Sequence, residues 1–211
     1  MELTKPSNVI VPNITETEDS VIRTYDPFSR LLKDRIIVVE NEVNTDMASA
    51  VVAQLLLLEQ QDPDAEITMY INSPGGSVVD GLAIADTMEF ISCDVRTVGV
   101  GMQASMGSFL LASGTPGKRH ALKRSQIMIH RLSGGTKGDY HNMEADWEHT
   151  KELHKLLQKE YARMSQGKRT PEEFEELMRY NNWLSLEEAI EHGIIDSVIT
   201  TRKEMESLIN E

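Results

Sequence analysis

The stretch Gly101-Met-Gln-Ala-Ser-Met-Gly-Ser108 decides the fold. Before it, Val95-Arg-Thr-Val-Gly-Val100 reads as a short buried strand bounded by Gly101. After it, Phe109-Leu-Leu-Ala-Ser113 continues at helical spacing until Gly114 and Pro116. A strand therefore hands over to a helix here, with Ser105 on the bend. The free N–H groups at a helix start favour negative charge beside such a hydroxyl. The position suits a nucleophile, and it equally suits an ordinary N-cap serine.

Working upstream, strands and helices alternate. Ile67-Thr-Met-Tyr-Ile71 is a strand followed by Asn72-Ser-Pro-Gly-Gly-Ser77, and a helix runs from about Val78 to Ile91 through Leu82, Ala85, Met88 and Phe90. Earlier still, Arg35-Ile-Ile-Val-Val39 is a strand. Asn44-Thr-Asp46 caps a helix whose stripe is Met47, Val51, Leu55 and Leu58, and Pro63 closes it. This β-α-β-α-β-α order predicts an α/β fold with right-handed crossovers and a mostly parallel sheet. Residues 1 to about 24 are polar. Within them Val9-Ile-Val11 and Val21-Ile22 flank the acidic Thr15–Ser20, a pattern compatible with a mobile hairpin outside the core.

Downstream, Arg119–Leu122 and Gln126–Ile129 are short β runs, the second ending on His130, and Leu132-Ser-Gly-Gly135 is a flexible extended piece. A long charged helix spans Gly138 to about Ser165, with Met143, Trp147, Leu153, Leu157, Tyr161 and Met164 as its stripe. Such a thin stripe predicts packing against a copy of itself rather than a place in the core. Two helices, Pro171–Met178 and Ser185–His192, lead to the apolar run Ile194–Ile199.

The chain has 211 residues, enough for one domain with a sizeable core. Its net charge of -13 argues against nucleic acid or an anionic membrane as partner. A single cysteine, Cys93, excludes an internal disulfide and fits a reducing, cytoplasmic setting. No apolar run approaches the ~20 residues of a membrane span, and Met-Glu-Leu-Thr-Lys-Pro6 lacks the pattern of a secretory signal.

Three features fall where strands end, the usual place for sites in open α/β sheets. Gly75 and Gly76 follow one strand, Ser105 the next, and His130 a later β run. If they converge, Ser105 is a nucleophile, His130 its base, and the amides of Gly76 and Met106 an oxyanion hole. Other readings compete. Gly-Gly before a helix is a general anion-binding turn, although no Gly-Lys-Ser/Thr of a P-loop follows, and a lone histidine more often sits satisfied in a core. Gln103 stands where a Gly-x-Ser-x-Gly elbow has its first glycine. His120, His141, His149, His154 and His192 are expected mostly on polar surfaces, and the five-residue spacing of His149 and His154 argues against zinc.

From about Tyr25 to Ile199 the chain resembles the ClpP family, the proteolytic subunits of the Clp protease. The match rests on Ser29–Ile37, Tyr70–Gly76, Ala104-Ser-Met-Gly107, Gly117-Lys-Arg119, Ile127–His130 with Gly134-Gly135, and Leu184-Ser185 with Glu187-Glu-Ala189. The resemblance implies a crotonase-like α/β subunit, residues 25–211, whose long helix is a protruding handle (about 138–165). Handles from two stacked heptameric rings interlock into a barrel with the active sites inside. It implies a serine endopeptidase with Ser105 as nucleophile, His130 as base, and Gly76 and Met106 as oxyanion donors. Gly75 to Val78 and Leu132 to Gly134 flank an extended unfolded polypeptide. Residues 1–24 form axial loops that meet an AAA+ unfoldase, and the subunit itself binds no nucleotide, cofactor or metal.

Four positions depart from the family pattern. Aligning Trp183-Leu-Ser185 with the family's aromatic-Leu/Met-Ser segment puts Asn181 where the triad aspartate stands, with Tyr180 in place of a basic residue. Arg131-Leu132 replaces Gln-Pro, and Met102-Gln103 replaces Gln-Ala. An aspartate fixes the histidine tautomer and stabilises its imidazolium, so an uncharged asparagine implies a slow or conditionally active peptidase. Glu176 is a nearby alternative acid. Two further readings remain: a catalytically weak or inactive structural subunit of a mixed ring, and an acyl-CoA enzyme of the same fold class.

Overall fold

The computed structural model describes residues 12–18, 21–135 and 137–209. The chain enters through a hairpin of β1 (Ile14–Glu18) and β2 (Val21–Tyr25), paired antiparallel from Ile14 opposite Tyr25 to Glu18 opposite Val21. The predicted hairpin is thus present with a different first arm. The acidic segment is itself the strand, whereas Val9–Val11 lies outside the described residues. Strand pairing satisfies the backbone of these residues, and Glu16 pairs with Arg30 Nε at 2.7 Å.

Helix α1 (Pro27–Lys33), capped by Asp26, leads into β3 (Ile36–Glu40), α2 (Thr45–Gln61), β4 (Ile67–Ser73), α3 (Val78–Phe90) and β5 (Val95–Ala104). The Asn44 side chain accepts from Met47 N at 3.0 Å, so the predicted capping cluster does start α2, which buries Ala48, Val51, Leu55 and Leu58. Helix α3 buries Gly81, Ile84, Ala85 and Met88, but Phe90, expected in its stripe, is 80% exposed. The helix ends there, and Ile91 takes the inward position instead.

β3, β4 and β5 pair in parallel. Strand β5 does not stop at Gly101 as expected; it bends there, with Gly101 at φ +69°, and continues to Ala104. Side chains replace ladder partners across the bend. Asn72 Oδ1 accepts from Met102 N at 3.1 Å, and Gln103 Nε2 donates to Ile71 O at 2.8 Å and Val100 O at 2.9 Å. After α4 (Met106–Ala112) come β6 (Arg119–Leu122) and β7 (Gln126–Ile129). β5 serves both: its first half pairs with β6 and its last three residues with β7, each in parallel.

Helix α5 (Tyr140–Met164) is the predicted long helix. Its stripe divides along its length. Leu157, Tyr161 and Met164 are buried in this chain's own core, whereas Met143 and Trp147 are exposed. The expectation that the whole stripe awaits a second copy is therefore corrected: only the N-terminal part stands clear, because α4 and α6 (Pro171–Leu177) already cover the C-terminal part. The chain finishes with β8 (Asn182–Leu184), α7 (Leu186–Glu191), β9 (Ser197–Ile199) and α8 (Arg202–Ile209). β9 joins β6 in parallel, and β8 adds to β7 antiparallel, the one reversed pairing in this sheet.

Two arginines tie these layers together. Arg119, 1% exposed, pairs with Asp196 at 2.6 Å and donates from Nη1 to Met164 O and Gly193 O, both at 2.7 Å. Buried Arg96 bonds Glu66 at 2.5 Å and His120 Nε2 at 2.8 Å. Because the guanidinium can only donate, His120 Nε2 accepts and Nδ1–H faces Ser197 Oγ at 2.9 Å. Burial, followed by the neighbouring Arg96 charge, lowers the His120 pKa to about 4. The surface placement expected for His120 is therefore wrong, and His192 is buried too. No helix among the described residues is long and apolar enough to cross a membrane.

Candidate active site

Ser105 joins β5 to α4 with φ +54° and ψ −122°, a conformation that costs a non-glycine residue about 1–3 kcal/mol. It occupies the N-cap position, yet its side chain caps nothing. The hydroxyl instead lies 2.8 Å from His130 Nε2. The turn has the strained strand-to-helix form of a nucleophile elbow without its first glycine. Gln103 at that position is buried and holds the β5 bend.

Sheet register brings the partners together. Ala104 pairs with Met128, and Ser105 N donates to Met128 O at 2.9 Å, so His130 emerges two residues later beside the elbow. On the other edge of β7, Ile129 pairs antiparallel with Asn182, which sets Asn181 on the rung opposite His130. The Asn181 side chain interacts with the imidazole in the sense that favours its protonated form. With Nε2 turned to Ser105, the Nδ1 side is left for it. Burial lowers the His130 pKa below the ordinary 6.5, and the Asn181 contact partly opposes that shift. The imidazole is therefore neutral at pH 7 and can accept a proton. Glu176 pairs with Arg179 at 3.3 Å, and it is Asn181 that contacts the imidazole.

The glycines lie where a backbone must come close. A Cβ on Gly75 would fall 2.6 Å from Ser105 Cβ and 2.7 Å from Ala104 O; one on Gly76 would fall 2.2 Å from Val43 O. Gly75 thus packs directly against Ser105, and Gly76 borders the cleft. Val43 N donates to Gly75 O and Ser77 N to Val43 O, both at 2.8 Å, so the peptides on either side of Gly76 are fixed. Met106 opens α4, so its N–H has no acceptor within the helix.

The cleft itself is small, about 40 Å³, and Gly76, Val78, Ser105, Met106, His130 and Leu132 all border it. Of the positions expected to flank a substrate, Val78 and Leu132 reach the cleft. Gly75 packs against Ser105 instead, and Gly134, exposed, stands outside its lining. Two roomier depressions lie elsewhere: about 520 Å³ between α3, α4 and α5, and about 630 Å³ beside α6, where Asn181 forms part of the wall. Sequence reading missed Ser108 and the role of Tyr161. The available signal was a tyrosine on a buried stripe, whose hydroxyl must find a partner.

A mostly parallel sheet with a strained serine and a neutral histidine at its strand ends defines an α/β serine hydrolase. Residues 17–202 match the Clp protease family. The chain is also 44% identical, over 196 residues, to the ATP-dependent Clp protease proteolytic subunit of Ligilactobacillus salivarius (strain UCC118), covering 93% of this chain and 98% of the relative. It belongs to the Clp protease family and is a serine-type peptidase.

Proposed function

We propose that this chain is the proteolytic subunit of an ATP-dependent Clp protease, a cytoplasmic serine endopeptidase that cuts unfolded polypeptides inside a barrel. The observation that carries the site assignment is the 2.8 Å contact between Ser105 Oγ, held in a strained turn, and His130 Nε2. An extended peptide lies between Gly75–Val78 and Leu132–Gly134 and pairs with both as a strand. Ser105 Oγ attacks the scissile carbonyl while His130 Nε2 takes its proton. The N–H groups of Gly76 and Met106 receive the developing oxyanion. His130 then protonates the leaving amine, and water attacks the acyl-enzyme by the same base. Asn181, in the third position, holds the Nδ1–H tautomer through its carbonyl oxygen and supplies no charge.

A fluorophosphonate tests this reading. In a size-exclusion fraction of known mass it should label Ser105 of the homomer. An assembled homomer that fails to label would instead be a catalytically weak or inactive structural subunit of a mixed ring.

The proposed assembly is two stacked heptameric rings joined by handles, with residues 1–24 as an axial segment that meets an AAA+ unfoldase. Its support is the projecting end of α5, where Met143 and Trp147 are 39% and 56% exposed. Trp147→Asp places a charge in that inferred seam, where burying it costs several kcal/mol per copy at the upper end. Light scattering should then show single rings or smaller species. A complete double ring in the variant would refute the placement of the seam.

A further inference from the structure

Two buried hydroxyls outside the triad act on the elbow. Ser105 O and Met106 N–H belong to one planar trans peptide and point in opposite directions. Whatever holds the carbonyl therefore aims the amide. Ser105 O accepts from Ser108 N at 3.0 Å, Phe109 N at 3.1 Å and Ser108 Oγ at 2.7 Å. Ser108 Oγ spends its proton on that bond, so it accepts from Tyr161 O–H at 2.8 Å; the phenol also lies 3.5 Å from Ser105 O. Tyr161, 3% exposed, is fixed edge-on to Phe109 at 5.3 Å and stacked on Phe174 at 5.4 Å. Burial raises its pKa, so the phenol stays a donor throughout the working pH range.

The opposite orientation of this peptide carries strain of its own. A half-turn would carry ψ of Ser105 from −122° to about +60°, and would swing φ of Met106, the first residue of α4, by the same half-turn out of the helical region. That flip would move the strain from Ser105 to Met106 and point Ser105 O, rather than Met106 N–H, into the cleft. The observed orientation therefore has to be held.

We propose that Tyr161 and Ser108 clamp the Ser105–Met106 peptide with its amide toward the oxyanion, making Tyr161 of α5 a positioning residue for the elbow. The inference rests on the assignment of Ser105 and Met106 above. It also couples the helix that carries the proposed inter-ring seam to the chemistry of each site, since α5 supplies the phenol.

Tyr161→Phe removes the donor and keeps the ring. In assembled protein it should lower kcat on a short fluorogenic peptide about tenfold, a fraction of the 10²–10³ lost with a whole oxyanion donor, with KM within twofold. Affinity for a peptide boronate, which mimics the tetrahedral adduct, should fall by the same factor. Ser108→Ala, which leaves the Tyr161 ring packing intact, should match it, and the double variant should be no worse than Ser108→Ala alone. Unchanged kcat in either assembled single variant overturns the clamp, as do losses that add in the double variant. If wild-type protein does not label with fluorophosphonate, the nucleophile assignment itself has failed. Labelling of the wild type with an equal rate in Tyr161→Phe sinks the clamp alone.

Discussion

Ser105→Ala is expected to lower kcat/KM for peptide cleavage by at least about a hundredfold, with oligomer mass unchanged. The size of the fall carries information. In subtilisin, removing the serine or the histidine costs about 10⁶ in kcat, removing the aspartate alone about 10⁴, and removing all three little more than the serine. Triad members act as a unit, so a site already short of its carboxylate has less to lose. If Asn181 contributes nothing, Ser105→Ala should cost only about 10²; if Asn181 orients His130 well, the cost approaches the full 10⁶. Alanine meets the same Cβ penalty at φ +54° as serine, so the turn gains no new strain, and the Ser105 N to Met128 O bond stays. Equal kcat/KM in parent and variant would show that the hydroxyl serves only the turn.

The alternation of short β runs with helical stripes made the parallel core legible, even though Thr68, Arg96 and Thr97 interrupt the apolar residues of β4 and β5. Gly101 misled because a glycine usually punctuates. Here Asn72 and Gln103 supply the hydrogen bonds that the bent strand loses, and such long-range replacement leaves no local pattern. The three residues of β8 are too few to show alternation, yet their register is what delivers Asn181 to His130. Family resemblance found that asparagine; periodicity alone had no route to it. His120 looked like a surface residue because the charges around it, Arg96 and Glu66, are themselves drawn into a buried network. The handle's division into a packed and a projecting part depends on how far α4 and α6 reach along it, a tertiary fact absent from a single helical stripe.

Asn181→Asp is expected to raise kcat/KM, by up to the roughly 10⁴ that separates aspartate from asparagine in chymotrypsin-type proteases. A carboxylate opposite Nδ1–H fixes the tautomer that leaves Nε2 free for Ser105, and it stabilises the imidazolium formed as Oγ attacks. The gain should stop short of that ceiling. Asn181 is exposed, and Glu172, Glu173 and Glu176 border the same depression, so the new charge is partly hydrated and faces like charges. The pH profile provides a second reading. Burial holds the His130 pKa below 6.5, and the base works only when neutral, so the parent's kcat/KM should fall as pH drops through a midpoint below 6.5. An adjacent carboxylate favours the charged imidazole and raises that pKa, so the acid limb of Asn181→Asp should move to higher pH even as its plateau rises. Both proteins would be compared at equal oligomer mass. A plateau that does not rise, on a limb that does not move, would mean that residue 181 does not govern the imidazole. A limb that moves without a higher plateau would place the shortfall in aim rather than charge, in the Ser105–Met106 peptide. In the aspartate background Ser105→Ala should then cost about 10⁶, because a completed triad has its full cooperative advantage to lose.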